Sequence, residues 1–387
     1  MRITGWLPLG ILRIALVLIA PAALISASLA GEPTATGRLI SAEAMPGAPE
    51  GARAYRIRYW STGLDGRPVE VSGVVIAPSG SPPPGGRPVV AWAHPTTGVV
   101  SRCAPSLARV FFGSVQGLRA IIDRGYVVAA TDYPGLGTPE VHPYLVGESE
   151  AHAVLDSVRA AKAIPEAAAG AQFAVWGHSQ GGQAALFTGI EAARYAPELK
   201  LVGVAAAAPA TDLAALMSDD LGTGGGNNIT AMTLWSWARV YGAPTEKVVT
   251  PQAEPVIDRL TKLCIERWFD ILTRRGPTQE LEKSFLRVGS LAEQEPWRRL
   301  LEENSPGPVP PDIPVFLAQG SADRLVRPSV TEAYRERLCR NGNRVEFVLL
   351  PGVGHAFIAR DVADAAVAWM AARFAGEPAP TNCGASP

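Results

Sequence analysis

Three residues in this chain stand where nucleophilic chemistry on a carbonyl group would need them. Ser179 lies at the centre of Gly177, His178, Ser179, Gln180 and Gly181, a G-x-S-x-G run. An apolar, strand-like stretch from Phe173 to Trp176 precedes it, and a small-residue stretch with helical spacing follows. A serine placed between a strand and a helix sits on a turn so tight that its backbone is strained and its hydroxyl clears the sheet edge. The positions two before and two after it must lack bulk, because strand and helix nearly touch there. Gly177, Gly181 and Gly182, with Ala184 and Ala185 beyond, meet that need. A hydroxyl is a poor nucleophile until a base takes its proton, and an imidazole base needs a carboxylate to fix its tautomer. Asp323 follows the strand-like run Val315 to Ala318, and His355 follows Val345 to Leu350. The order serine, acid, histidine, each after a strand, assigns Ser179 as nucleophile, Asp323 as orienting acid and His355 as base.

The oxyanion formed by such an attack needs two preorganised donors. The backbone N–H of Gln180 is one, at a helix N-terminus where the dipole adds to it. The other is expected from the loop after Val89 to Ala93, at Thr96, with Thr97 as the alternative. Asp132 also ends a strand and is the rival acid, although such a residue more often orders its own loop. Asp312 precedes its strand and falls at the wrong end of the sheet. His178 reads as a packing residue, and His142 and His152 as structural or solvent-facing.

The elements that must carry these residues alternate in kind. Arg53 to Trp60 and Val69 to Ala77 read as a hairpin, and Val89 to Ala93 and Tyr126 to Thr131 as buried strands. Helices are expected at Leu107 to Asp123 and Glu148 to Ala163, and a strand at Leu201 to Ala207. Strands separated by helices predict an α/β fold, a mostly parallel eight-stranded sheet covered by helices on both faces. From Leu213 to Pro311 the rhythm breaks. Helices near Met232 to Val240, Pro255 to Thr273 and Glu280 to Val288 read as an inserted helical cap. The expected organisation is a targeting segment over 1–30, core over 31–212, cap over 213–311, core again over 312–375 and a tail over 376–387. Residues 31–50 read as an extended leader.

Composition narrows the setting. With 387 residues, 47% hydrophobic and 18% charged, the chain can bury a large core. A net charge of −1 argues against nucleic acid as a partner. Arg2, the apolar run Ile11 to Ile25 and the small residues Ser28 to Ala30 read as an export signal, with an uncleaved anchor as the alternative. Export, to the medium or the cell envelope, gives meaning to Cys103, Cys264, Cys339 and Cys383, an even set allowing two disulfides in three connectivities. No pair is spaced as a metal clip, and neither metal nor organic cofactor is expected.

A family resemblance rests on particular stretches: Cys103 to Ser106, Gly125 to Val128 with Asp132 to Gly135, Leu155 to Ala160, Gly177 to Gly182, and the Asp323 and His355 loops. In these the chain resembles the secretory lipases of the yeast lipase A type and their bacterial relatives, within the α/β-hydrolase superfamily. The resemblance implies a lipase or carboxylesterase whose helical cap is both lid and acyl-chain site. It also implies the disulfides Cys103–Cys264 and Cys339–Cys383. His94 to Gly98 departs from the yeast members' oxyanion loop, so Thr96 is assigned by position alone. Cap residues Ile229, Met232, Leu234, Trp235, Trp237, Trp268 and Phe269 are candidates for an acyl tunnel, although most are expected in the cap's own core. The expected reaction is hydrolysis of a carboxylic ester through an acyl-enzyme, by a monomer that touches a lipid interface transiently. The rivals are an esterase for short-chain or aromatic esters, a serine peptidase, and a silent binding protein of the same fold.

Overall fold

The computed structural model describes residues 1–5, 36–219, 222–266 and 270–384. The export signal read over 1–30 lies, apart from 1–5, outside the described residues, as do Trp268 and Phe269. Six apolar runs make the parallel centre of one sheet. The strands are β1 (Leu39–Ala44), β2 (Ala52–Thr62), β3 (Pro68–Pro78), β4 (Arg87–Ala93), β5 (Val127–Thr131), β6 (Ala169–His178), β7 (Lys200–Ala207), β8 (Val315–Gly320) and β9 (Val345–Leu350). Their spatial order is β1-β2-β3-β5-β4-β6-β7-β8-β9, parallel from β5 to β9 and antiparallel from β1 through β3 to β5. The sheet therefore has nine strands among the described residues, not the eight expected. The additional one is β1, in the stretch read as a leader. None of its residues is buried, so it leaves almost no apolar pattern to detect and is held by backbone pairing to β2.

Successive residues of a strand face opposite ways, and both faces here are covered. Val89, Ala91 and Ala93 face a core closed by α3 (Gly147–Lys162), α4 (Gln180–Tyr195) and α10 (Pro328–Arg340). Val90 and Trp92 face the other, closed by α1 (Phe111–Ser114), α2 (Leu118–Asp123) and α11 (Ile358–Phe374). Trp92 and Trp176 meet in that second core with ring centroids 5.9 Å apart. The single helix expected from Leu107 to Asp123 is broken, because Gly117 adopts φ 77° and restarts the chain as α2.

Between β7 and β8 the chain is helical, with α5 (Leu213–Asp219), α6 (Gly224–Val240), α7 (Glu254–Thr261), α8 (Ile271–Lys283) and α9 (Trp297–Glu303). α6 begins inside a glycine run because Thr223 caps it, its hydroxyl accepting from the Gly226 N–H at 3.1 Å. The helix expected from Pro255 to Thr273 is two, α7 and α8. The one expected at Glu280 to Val288 is only the end of α8, which stops at Lys283. Trp237 and Trp297 stack 6.3 Å apart, in a core continuous with the one that holds Trp92 and Trp176. No described helix is long and apolar enough to cross a membrane.

Cys103 is bonded to Cys264 and Cys339 to Cys383. The tail is held by more than its cysteine. Asn382 pairs with β9, donating from its backbone N–H to Val345 and exchanging side-chain bonds with Phe347. Cys103–Cys264 spans 161 residues of sequence, a long loop whose closure restricts the unfolded chain. Replacing both cysteines by serine is expected to lower the unfolding free energy by about 2–4 kcal/mol. Chemical denaturation measures it, and an unchanged midpoint would show that the link does not stabilise the fold.

Candidate active site

The site is built where β6 turns into α4. Ser179 has φ 58° and ψ −118°, a conformation that non-glycine residues rarely adopt and that the surroundings must enforce. Its N–H donates to Ala207 on β7 at 2.9 Å, and its carbonyl accepts from Gln183 at 3.0 Å. A Cβ on Gly177 would stand 2.0 Å from the Gly181 carbonyl oxygen, and one on Gly181 would stand 1.9 Å from that of Ala93. The glycines therefore let α4 start against the ends of β6 and β4, which brings the loop after β4 beside Ser179.

The structure brings Ser179, His355 and Asp323 together. His355 Nε2 lies 2.9 Å from Ser179 Oγ, and its Nδ1–H donates to Asp323 Oδ2 at 2.7 Å. That donor fixes the tautomer and leaves Nε2 to accept the serine hydroxyl. Asp323 is 4% exposed. Burial alone would raise its pKa, but His355 beside it and the N–H groups of Leu325 and Val326, each 2.9 Å from Oδ1, hold the carboxyl below its ordinary range. Gln319, the fifth residue of β8, donates to Oδ2 at 3.1 Å and is itself held by Thr331.

The other candidates fall as follows. Gln180 opens α4, so its backbone N–H belongs to that helix's N-terminus. Thr96 lies with Ser179 and Gln180 on one small cavity of about 10 Å³, space for a single water, closed by Leu216, Ile229 and Leu325. The Thr96 hydroxyl is 2.8 Å from the Tyr144 hydroxyl. The Thr97 carbonyl accepts from the Ile265 N–H, next to the Cys103–Cys264 bond. Asp132 is buried and holds Ser106 and Ser72 on neighbouring segments. Asp312 lies before β8, away from the cluster. His152 stacks on Tyr195 at 3.7 Å, and both it and His142 are buried rather than solvent-facing. Glu148, His152 and Glu191 form a cluster of metal-ligand types among the described residues, but Arg194 already ion-pairs with both carboxylates.

Of the acyl-tunnel candidates, Ile229 and Met232 line a second cavity of about 340 Å³ between α6 and α8, with Leu272, Arg274 and Leu325. Ile229 and Leu325 belong to both cavities and so separate the serine from the larger space. Leu234 and Trp237 are core, and Trp235 lies under the Arg239 guanidinium.

Sequence reasoning missed two supports. Gln319 carries no motif. His178 was read as packing, yet its Nε2–H donates to the His355 carbonyl at 3.0 Å, with the two rings 5.0 Å apart. Burial first, and then the neighbouring His355, pull its pKa from 6.5 to about 3. It stays neutral in the fold, whereas the unfolded chain takes up the proton below 6.5. Its contribution to stability is therefore complete above that pH and lost as pH falls toward 3. The melting-temperature advantage of wild type over His178→Gln should shrink from pH 7 to pH 5. A gap independent of pH would show that His178 takes up its proton as readily in the fold as in the unfolded chain.

Comparison with known proteins gives this geometry a family. A family model described as secretory lipase matches residues 115–382. The chain is 27% identical over 276 residues to Lipase 1 of Candida albicans, covering 68% of this chain and 58% of that protein. It is 28% identical over 273 residues to the secreted triacylglycerol lipase LIP2 of Malassezia globosa, again covering 68% and 58%. The chain thus spans less than two thirds of the length of these relatives. Among solved structures, Candida antarctica lipase A in its closed state matches with TM-score 0.73 at 17% identity, over 91% of this chain and 85% of that one. The rice cell wall degrading esterase LipA of Xanthomonas oryzae matches with TM-score 0.72 at 21% identity, over 88% and 98%. These structural likenesses identify the α/β-hydrolase fold. With the family model covering the greater part of its length, the chain belongs to the secretory lipase family.

Proposed function

We propose that this protein hydrolyses carboxylic esters with long acyl chains, as a triacylglycerol lipase or related carboxylesterase, and that it acts after export. The observation that carries the reading is the run of hydrogen bonds from Ser179 Oγ through His355 to Asp323, at 2.9 and 2.7 Å. Ser179 Oγ attacks the ester carbonyl carbon as His355 Nε2 takes its proton. The C=O electron pair moves onto oxygen, and the resulting oxyanion is met by the N–H of Gln180 and by Thr96. The tetrahedral species collapses with cleavage of the C–O bond, and His355 gives its proton to the leaving alcohol. Water then attacks the acyl-enzyme by the same steps and releases the acid. Asp323 holds the imidazole and balances its transient charge; it keeps its own charge throughout. No cofactor takes part.

The helical stretch 213–311 would serve as cap, its Leu216 and Ile229 closing over the serine together with Leu325 of the loop after β8. The 340 Å³ cavity behind Ile229 is the space we assign to the acyl chain. A second reading, hydrolysis of short-chain esters, is favoured by the small volume directly over Ser179.

A series of p-nitrophenyl esters from acetate to palmitate separates the two. Long-chain activity is expected, falling about 10⁴- to 10⁶-fold in Ser179→Ala. Ile229→Trp should depress activity on the long esters while sparing acetate. Activity restricted to the shortest esters would give the second reading, and activity that survives in Ser179→Ala would remove the mechanism.

A further inference from the structure

Against the residue that follows the serine lies a set of buried side chains for which the reaction above has no use. Glu150, in the first turn of α3, is fully buried. Its Oε1 accepts from the Leu145 N–H at 3.0 Å and from the Gln180 side-chain Nε2 at 2.7 Å. Gln180 Nε2 also lies 3.2 Å from His142 Nε2. The direction of that bond is set from the other side of the ring. His142 Nδ1 is 2.8 Å from the Pro134 carbonyl, which can only accept, so the ring hydrogen is on Nδ1 and Nε2 is a bare acceptor. The Gln180 amide therefore cannot be turned round. This arrangement leaves two buried acceptors without a donor, Gln180 Oε1 and Glu150 Oε2, one on each partner of the same hydrogen bond.

The groups around Glu150 offer it no compensating charge. His142 is held neutral by burial, at about 3, and His94, which acts on it, is held at about 4. Tyr133 and Tyr144 are pushed up by burial and by Glu150 itself, and the Arg274 cation acts on Tyr144. An isolated carboxylate in such a place is strongly disfavoured. Burial pushes Glu150 up to about 8.

We propose that Glu150 is held as the neutral acid, with an Oε2–H that supplies the donor the pair lacks, and that it is a positioning residue for the oxyanion site. By fixing the Gln180 side chain it fixes the first residue of α4, whose backbone N–H meets the oxyanion. The inference rests on the acyl-transfer reading above. When Glu150 gives its proton to solvent, the clamp loses its donor, and a negative charge appears one side chain away from an oxygen that is itself becoming negative. Catalysis then fails at alkaline pH while substrate binding persists.

The test compares wild type, Glu150→Ala and Glu150→Gln in pH-stat assays of a soluble ester from pH 5 to pH 10. In wild type, kcat is expected to fall about tenfold between pH 7 and pH 9, the course of a single ionisation near 8. Glu150→Ala should lose about tenfold or more in kcat at pH 7, with KM little changed, and its deficit against wild type should close toward pH 9. Glu150→Gln places an amide donor where the acid carries its proton; it should rescue the activity lost in Glu150→Ala and abolish the alkaline fall. An alkaline fall that persists in Glu150→Gln, or no rescue at pH 7 in a variant that melts like wild type, would overturn the proposal.

A second readout needs no activity. Glu150 keeps its proton in the fold above the ordinary 4.5, so its contribution to stability falls as pH rises from 4.5 to about 8. The melting temperature of Glu150→Gln relative to wild type should rise across that window, and a flat difference would count against the neutral acid. If Glu150→Gln fails to fold, Gln180→Met, which removes the amide at similar length, should lower kcat and leave KM. A wild type inactive on every ester would sink the acyl-transfer reading, while the melting comparison would still report the state of Glu150.

Discussion

The close approach of three backbones at the start of α4 is the constraint on which the rest of the structure depends. Gly177 lies against Gly181, Gly181 against Ala93, and Gly182 against Pro209, each at a distance that admits no side chain. That approach forces Ser179 into its left-handed turn and holds it there through bonds to β7 and to the second turn of α4. It also sets where the loop after β4 must run, and so puts Thr96 beside Gln180. The strain at one residue is thus sustained by the whole parallel sheet. The Asp323 and His355 loops leave neighbouring strands, β8 and β9, at the same end, which is why residues 176 apart in sequence meet at hydrogen-bond distance.

Much of this was legible because the signals are local. A serine flanked by glycines after an apolar run, an aspartate three residues after β8 and a histidine five residues after β9 each declare themselves within a few residues. β1 did not, because a strand with four exposed residues and none buried, paired to β2 through its backbone, needs little apolar pattern. The break at Gly117 was hidden by the helical spacing on both sides of it. The start of α6 was hidden by glycines that normally disfavour a helix, and only the Thr223 cap explains them.

Side-chain networks were less legible still. α3 buries 13 of its 16 residues, so it lacks the polar face by which a helix usually advertises its orientation. Nothing in the sequence tells Glu150, which faces the interior, from Glu148, which ion-pairs at the surface with Arg194. The role of His178 depends on the path of a loop 177 residues away. Such contacts are products of the fold and are not written in any short stretch.

The bond between Cys103 and Cys264, with the Ile265 N–H held by the Thr97 carbonyl at 2.8 Å, has a mechanical consequence. It pins the 264–265 end of the helical insertion to the same loop that carries Thr96. That end cannot swing outward without dragging the loop after β4 with it. If the insertion is the cap proposed above, that end would be its pivot, and freedom to move would be left to Leu216 of α5 and Ile229 of α6, which close over the serine. On the function proposed above, access to Ser179 would be a one-sided rotation that leaves Thr96 in register while the apolar roof lifts.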